Sequence, residues 1–252
     1  MIHIWTEDSE NSCTVQFWRF IVSELCSNKA FIEVRGFNSN NSLYFYIESL
    51  YNKKQINSTD VYIILFDKVP DNEYVMKTYK RIRGIADKCN NIYLSDILCF
   101  EYLIITFGHL KEWTYPANIA KRVKYDKIME CVREFTQLID EGREIRFSDG
   151  TREFLSGLGI KDKDIKSEKL AYLFMTQLIN YRNGYFTITK TKLGDCWIKS
   201  CCYGIDNGCA LQSKHMKSYE KAQDLFKYSL AKRIIHSAGI KFDSCDEIDW
   251  KG

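Results

Sequence analysis

Val61-Tyr62-Ile63-Ile64-Leu65-Phe66-Asp67 is an unbroken apolar and aromatic run closed by a carboxylate. Such a run has no solvated face, which is the pattern of a central strand in a parallel sheet covered on both sides. It is too short for a buried helix, and Pro70 ends any backbone ladder beyond it. Upstream, Ile2-His3-Ile4-Trp5 predicts a first strand ending at Thr6-Glu7-Asp8. Asn11-Ser12 then offers a helix start, followed by Val15, Trp18, Ile21, Val22 and Leu25 at helical spacing. Ala30 to Val34 predicts the second strand, ending near Gly36. Asn40-Asn41-Ser42 is expected to cap a helix with Leu43, Ile47 and Leu50 on one face. Downstream, a helix is expected from Glu73 to Lys88, a fourth strand from Asn91 to Leu94, and a helix from Leu98 to His109. Strands alternating with helices predict an α/β fold, a parallel sheet flanked by helices, over residues 1–112. Such sheets bind ligands beyond the carboxyl ends of their strands.

After Pro116 the strand signal fades, and residues 113–252 read as a mainly helical C-terminal domain. Lys121 to Glu141 is expected to be a long helix burying Val123, Ile128, Met129, Val132, Phe135 and Leu138. Ser148-Asp149-Gly150 suggests a turn, Lys166 to Tyr181 a helix, Tyr185 to Thr189 a short strand, and Tyr219 to His236 a last helix. With two prolines and no Gly/Ser-rich linker, the halves should adjoin directly.

The end of the first strand brings Glu7, and the end of the third brings Asp67. If the strands are neighbours, both carboxylates project from one rim. They repel each other unless a cation lies between them. Mg²⁺, or Mn²⁺ in its place, is a hard cation that takes oxygen ligands and retains waters exchangeable for phosphate oxygens. Asp71, four residues beyond Asp67, is a further candidate ligand, and it is equally a candidate helix cap. Lys68 stands beside Asp67 as a cation that could stabilise charge developing on a phosphate, or as a solvated turn lysine.

The order of these motifs resembles the Toprim domain of topoisomerases, bacterial primases and OLD-type nucleases. Cys99-Phe100-Glu101 within Leu98–Phe107 is similar to the helix after the Asp strand in Toprim-like proteins of bacterial anti-phage systems, including the RloB-like group. The resemblance covers residues 1–112. It implies a general acid–base or metal role for Glu7, metal binding by Asp67 and Asp71, and a supporting or second-metal role for Glu101. It also implies a metal-dependent nuclease cutting DNA or RNA, an effector of anti-phage defence working with a separately encoded partner ATPase. The chain departs from the pattern at two places. Val69 stands where the second Asp is usual, and Asp8 follows Glu7 where Gly is common. The alternative expectation is a catalytically inactive Toprim-like module for binding and assembly.

Ten cysteines accompany an N-terminus without a basic region or a long apolar run, and no stretch of about 18 apolar residues is present. The expectations are a cytoplasmic protein with reduced thiols and no membrane partner. Cys196, Cys201, Cys202 and Cys209, with His215, form an irregularly spaced set that would suit a structural Zn²⁺ or buried packing. Lys111, Lys121, Arg122, Lys124 and Lys127, then Lys214, Lys217, Lys221, Lys227, Lys232 and Arg233, are runs that fit phosphate contacts or solvated helix faces. There is no Gly-rich phosphate loop, so ATP binding is expected of a partner rather than of this chain. Nucleic acid and a second copy of the chain complete the expected partners.

Overall fold

The computed structural model describes residues 1–160, 166–180, 185–201, 215–243 and 247–250. Four strands, β1 (Ile2–Thr6), β2 (Ile32–Gly36), β3 (Val61–Leu65) and β4 (Ile92–Leu94), form one sheet in the order β2-β1-β3-β4. Every pairing is parallel, as the apolar β3 demands. Ile4 pairs with Val34 on one side and Ile63 on the other, and Thr6 pairs with Gly36 and Leu65. The alternation of strand side chains divides the core in two. Trp5, Tyr62, Ile64 and Phe66 face α2 (Asn40–Asn52) and α3 (Glu73–Ala86). Ile2, Ile4, Ile63 and Leu65 face the larger core.

That larger core joins the two halves of the sequence. It begins on the sheet with α1 (Cys13–Leu25) and α4 (Phe100–Ile105) and continues through α5 (Leu110–Thr114). It then takes in α6 (Ile119–Asp140), α7 (Asp149–Gly157), α8 (Ser167–Ile179), α9 (Asp195–Ile198), α10 (Ser218–Lys227) and α11 (Leu230–Ser237). A β5–β6 hairpin (Ile240–Asp243 and Glu247–Trp250) follows, which the sequence pattern did not suggest. The C-terminal region is thus mainly helical. No described helix is long and apolar enough to cross a membrane, and none of the described cysteines forms a disulfide.

Several boundaries differ from expectation for local reasons. Ser39, rather than the Asn40–Ser42 triplet, caps α2, its Oγ accepting the Ser42 N–H at 3.1 Å. A 3₁₀ turn at Lys29–Phe31 delays β2 to Ile32. The expected Leu98–His109 helix stops at Ile105, and the chain turns through Gly108, whose N–H donates to the Tyr228 carbonyl at 2.7 Å. A side chain at Gly108 would crowd that carbonyl, at 3.3 Å. Val123 is 71% exposed rather than buried. Ser148-Asp149-Gly150 opens α7 instead of forming a free turn, anchored by Ser148 Oγ donating to Glu134 at 3.0 Å. Among the described residues of 185–189 there is only an isolated bridge between Ile188 and Leu193. The last helix is two, because Ser229 caps α11 by accepting the Ala231 N–H. Lys221, taken from sequence as part of a basic run, is buried, and its Nζ donates to the Cys196 carbonyl at 2.6 Å.

Candidate metal centre at the carboxyl rim of the sheet

The register carries Glu7 and Asp67 off the same edge, since Thr6 and Leu65 are the last paired residues of β1 and β3. Asp67 also bridges to Ile97, which extends the rim toward β4. Behind Glu7, the backbone of Asp8, Ser9 and Glu10 crosses directly over Gly36. A Cβ there would lie 2.6 Å from the Asp8 carbonyl oxygen, so only glycine permits this crossing. Phe37 N–H donates to Thr6 O and Asn38 N–H to Asp8 O, both at 2.9 Å. The Gly36 N–H donates to Glu10 at 2.8 Å. The turn bearing Glu7 and Asp8 is thereby fixed to the end of β2.

Glu7 accepts a hydrogen bond from the backbone N–H of Asp67. With its amide nitrogen turned inward, Asn40 at the start of α2 donates to Glu7 Oε2 at 2.9 Å. Glu101 lies in the first turn of α4, where the helix N-terminus favours a negative charge. Its carboxylate accepts from the buried Cys99 thiol. Glu168, in the first turn of α8, comes from the helical half of the chain and completes the acidic group with Asp8. Burial pushes the Glu7 carboxyl up to about 9, helped by the charges of Asp8 and Glu168 and opposed by the Asp67 N–H. Burial raises Asp67 well above the usual carboxylate range, and the neighbouring charges of Glu7, Asp8, Glu101 and Glu168 push it the same way. Burial likewise raises Glu101.

The structure therefore brings Glu7, Asp67 and Glu101 together and leaves two expected partners elsewhere. Asp71 is engaged by Ser167. Its Oδ2 accepts the Ser167 N–H and its Oδ1 the Ser167 hydroxyl, both at 2.7 Å, so it ties the β3–α3 loop to the start of α8. Asn72 caps α3, and Val69 is buried in the smaller core. Lys68, next to Asp67 in sequence, is engaged by other groups. Its Nζ pairs with Asp96 at 2.6 Å and lies over the Tyr79 ring. It does not face the carboxylates. Asp8, Glu168 and Asn40 were not among the expected site residues. Glu168 is about a hundred residues from Asp67 in sequence, and no spacing rule links them.

Family models, curated proteins and solved structures yield no match to this chain.

Among the described residues no group of three or more His, Cys, Asp or Glu side chains is placed to hold a metal ion. Hard oxygen donors whose charges oppose one another nonetheless fit Mg²⁺ or Mn²⁺. Mg²⁺ commonly takes only one or two carboxylates and fills its remaining positions with water and substrate phosphate. The zinc expectation rests partly on Cys202 and Cys209, which lie outside the described residues. Of the rest, Cys201 is buried, with its N–H donating to Met216 O at 2.9 Å, and Cys196 packs against the larger core.

Asp71→Ala is expected to cost about 1 kcal/mol, the usual cost of losing a helix cap. It should leave cation affinity at the rim within about twofold of the wild-type value, since about 0.4 kcal/mol separates a twofold difference from none. Urea unfolding and Mn²⁺ titration check the two halves of this expectation.

Proposed function

We propose that this chain is a Mg²⁺- or Mn²⁺-dependent nuclease that hydrolyses phosphodiester bonds at the carboxyl rim of a Toprim-like sheet. The observation that carries the reading is the convergence of Glu7, Asp67, Glu101 and Glu168 from four separate elements, with Glu7 and Asp67 raised by burial and by neighbouring negative charges. Glu7 and Asp67 would hold the cation, with Glu101 and Glu168 as supporting oxygen donors. Bound Mg²⁺ would supply Lewis acidity toward a phosphate oxygen and toward water. Glu7 would hold or accept a proton at its carboxylate, oriented by Asn40 and the Asp67 N–H. Lys68 takes no part.

Asp71's engagement by Ser167 favours a second reading, in which the rim binds without cutting and the chain is an assembly module. Incubation with plasmid, single-stranded DNA and total RNA, in Mg²⁺, Mn²⁺ or EDTA, decides between them. Cutting that EDTA abolishes supports the nuclease. Intact substrates under every condition support the module. A cytoplasmic role in anti-phage defence with a partner ATPase belongs to the same proposal, and co-expression with candidate ATPases under phage challenge tests it.

A pH-dependent outcome follows. A carboxyl raised in the folded state keeps its proton there at pH values where the unfolded chain has lost it. Without a cation, stability is therefore full below the ordinary carboxylate range and falls as pH rises toward about 9 for Glu7. Added Mn²⁺ should raise the melting temperature more at about pH 8.5 than at about pH 5.5. An equal rise at both pH values would argue that the cation binds elsewhere.

A further inference from the structure

Two clefts meet at the junction where Asp71 holds Ser167. One, of about 810 Å³, contains Glu101 and Glu168 together with Lys166, Lys169 and Lys190. The other, of about 860 Å³, is lined by the loop after α6 and carries Arg143, Arg146, Arg152 and again Lys166. Asp71 and Lys166 line both. The two clefts thus adjoin across a shared wall, and taken as one trough they carry Glu101 and Glu168 toward one end and three arginines toward the other.

We propose that this trough is the track for a single strand of nucleic acid. Its phosphates would lie on Arg143, Arg146 and Arg152, and its unpaired bases would stack near the rim. The three arginines pair with Glu141, Glu144 and Asp149, but these pairs are at the surface. In the Arg146–Glu144 pair the side chains are 80% and 74% exposed. Exposed ion pairs contribute little, so a phosphate displaces the carboxylate at small cost and gains a forked guanidinium contact. At the rim end, Tyr172 and Tyr74 are 40% and 58% exposed and line the same cleft as Glu101. Tyr172 stands one helical turn beyond Glu168, which places a ring beside the acids. A stacking ring serves an unpaired base and offers nothing to a duplex, whose bases are already stacked. The basic end attracts the strand electrostatically, while the acidic end admits a phosphate only with a cation. This inference rests on the nuclease reading for what happens at the rim, but strand binding can be measured without it.

The test is fluorescence anisotropy in EDTA with labelled oligothymidine, oligouridine and a duplex, each of about 20 nucleotides. The protein is wild type, Arg143→Ala/Arg146→Ala/Arg152→Ala, the corresponding triple Lys variant, Tyr172→Ala, or Lys227→Ala/Lys232→Ala as a surface control. The expected result is tighter binding of a single strand than of the duplex. The triple Ala variant should lower the slope of log affinity against log salt by about 2, or roughly 0.7 per lost phosphate contact, and the triple Lys variant should largely retain it. Tyr172→Ala should weaken binding on the order of 10-fold without changing the slope. The control should bind as wild type. An unchanged slope in the triple Ala variant, an equal loss in the control, or duplex binding as tight as single-strand binding with Tyr172→Ala silent would overturn the trough. Failure of the two proposals is distinguishable. Arginine-dependent binding by a protein that cuts nothing retains the trough and removes the nuclease. EDTA-sensitive cutting that survives unchanged in the triple Ala variant does the reverse.

Discussion

Glu7→Gln and Asp67→Asn should each lower phosphodiester cutting on the order of 10²-fold or more, the usual loss when a metal ligand or general base is removed. Each change preserves shape and deletes one charge from a group in which every neighbour of Asp67 that acts strongly on it is negative. The same substitutions should therefore raise the melting temperature of the cation-free protein near pH 8, and should diminish the stabilisation given by Mn²⁺. Opposite movements of activity and stability mark a functional site that is held at a cost to the fold. A structural role for the two carboxylates would instead lower both. Glu101→Gln is expected to fall between wild type and Glu7→Gln, because Glu101 is held by the Cys99 thiol and the start of α4 rather than by the other rim strand. Rates on a single-stranded substrate, with melting curves taken in EDTA, read both effects.

The second large effect concerns the union of the two halves. Trp113 is fully buried where the sheet region passes into the helical region. Its Nε1 donates to Asp224 Oδ2 at 2.9 Å, and its ring meets Phe107 and Trp197 at 5.2 and 5.5 Å. His109 Nδ1 lies 2.8 Å from the other Asp224 oxygen. Trp113→Ala should cost about 3–5 kcal/mol through the cavity it leaves. It also deprives a partly buried carboxylate of one donor. In urea the midpoint should fall with the slope unchanged, as one cooperative transition. Two separated transitions, with the sheet region intact after the helices have melted, would show that the larger core does not unite them.

The parallel sheet was legible because β3 is apolar on both faces and because the runs ending at Thr6 and Phe66 are each followed by a carboxylate. Two neighbouring parallel strands that end level with each other sufficed to bring Glu7 and Asp67 to one rim. Lys68, one residue further, is taken up by Asp96, a pairing that strand periodicity does not encode. Asp71 was ambiguous for a physical reason. A carboxylate four residues after Asp67 suits a metal or a helix N-terminus equally well, and the helix it serves, α8, begins nearly a hundred residues later. Glu168 enters the site through that same contact, which no local pattern encodes. Val123 shows the limit of helical periodicity, since it continues an apolar stripe past the point where the neighbouring helices cover it. The arginine loop at 143–152 lacked a dense basic run, whereas Lys221, which belonged to one, is buried under Trp113.

The most direct measurement is anomalous diffraction from crystals of the chain grown with Mn²⁺. The account predicts a peak within ligand distance, about 2 Å, of carboxylate oxygens of both Glu7 and Asp67, and its loss in Glu7→Gln crystals. A peak elsewhere, or none at the rim while Mn²⁺-dependent cutting persists in the same preparation, would contradict it.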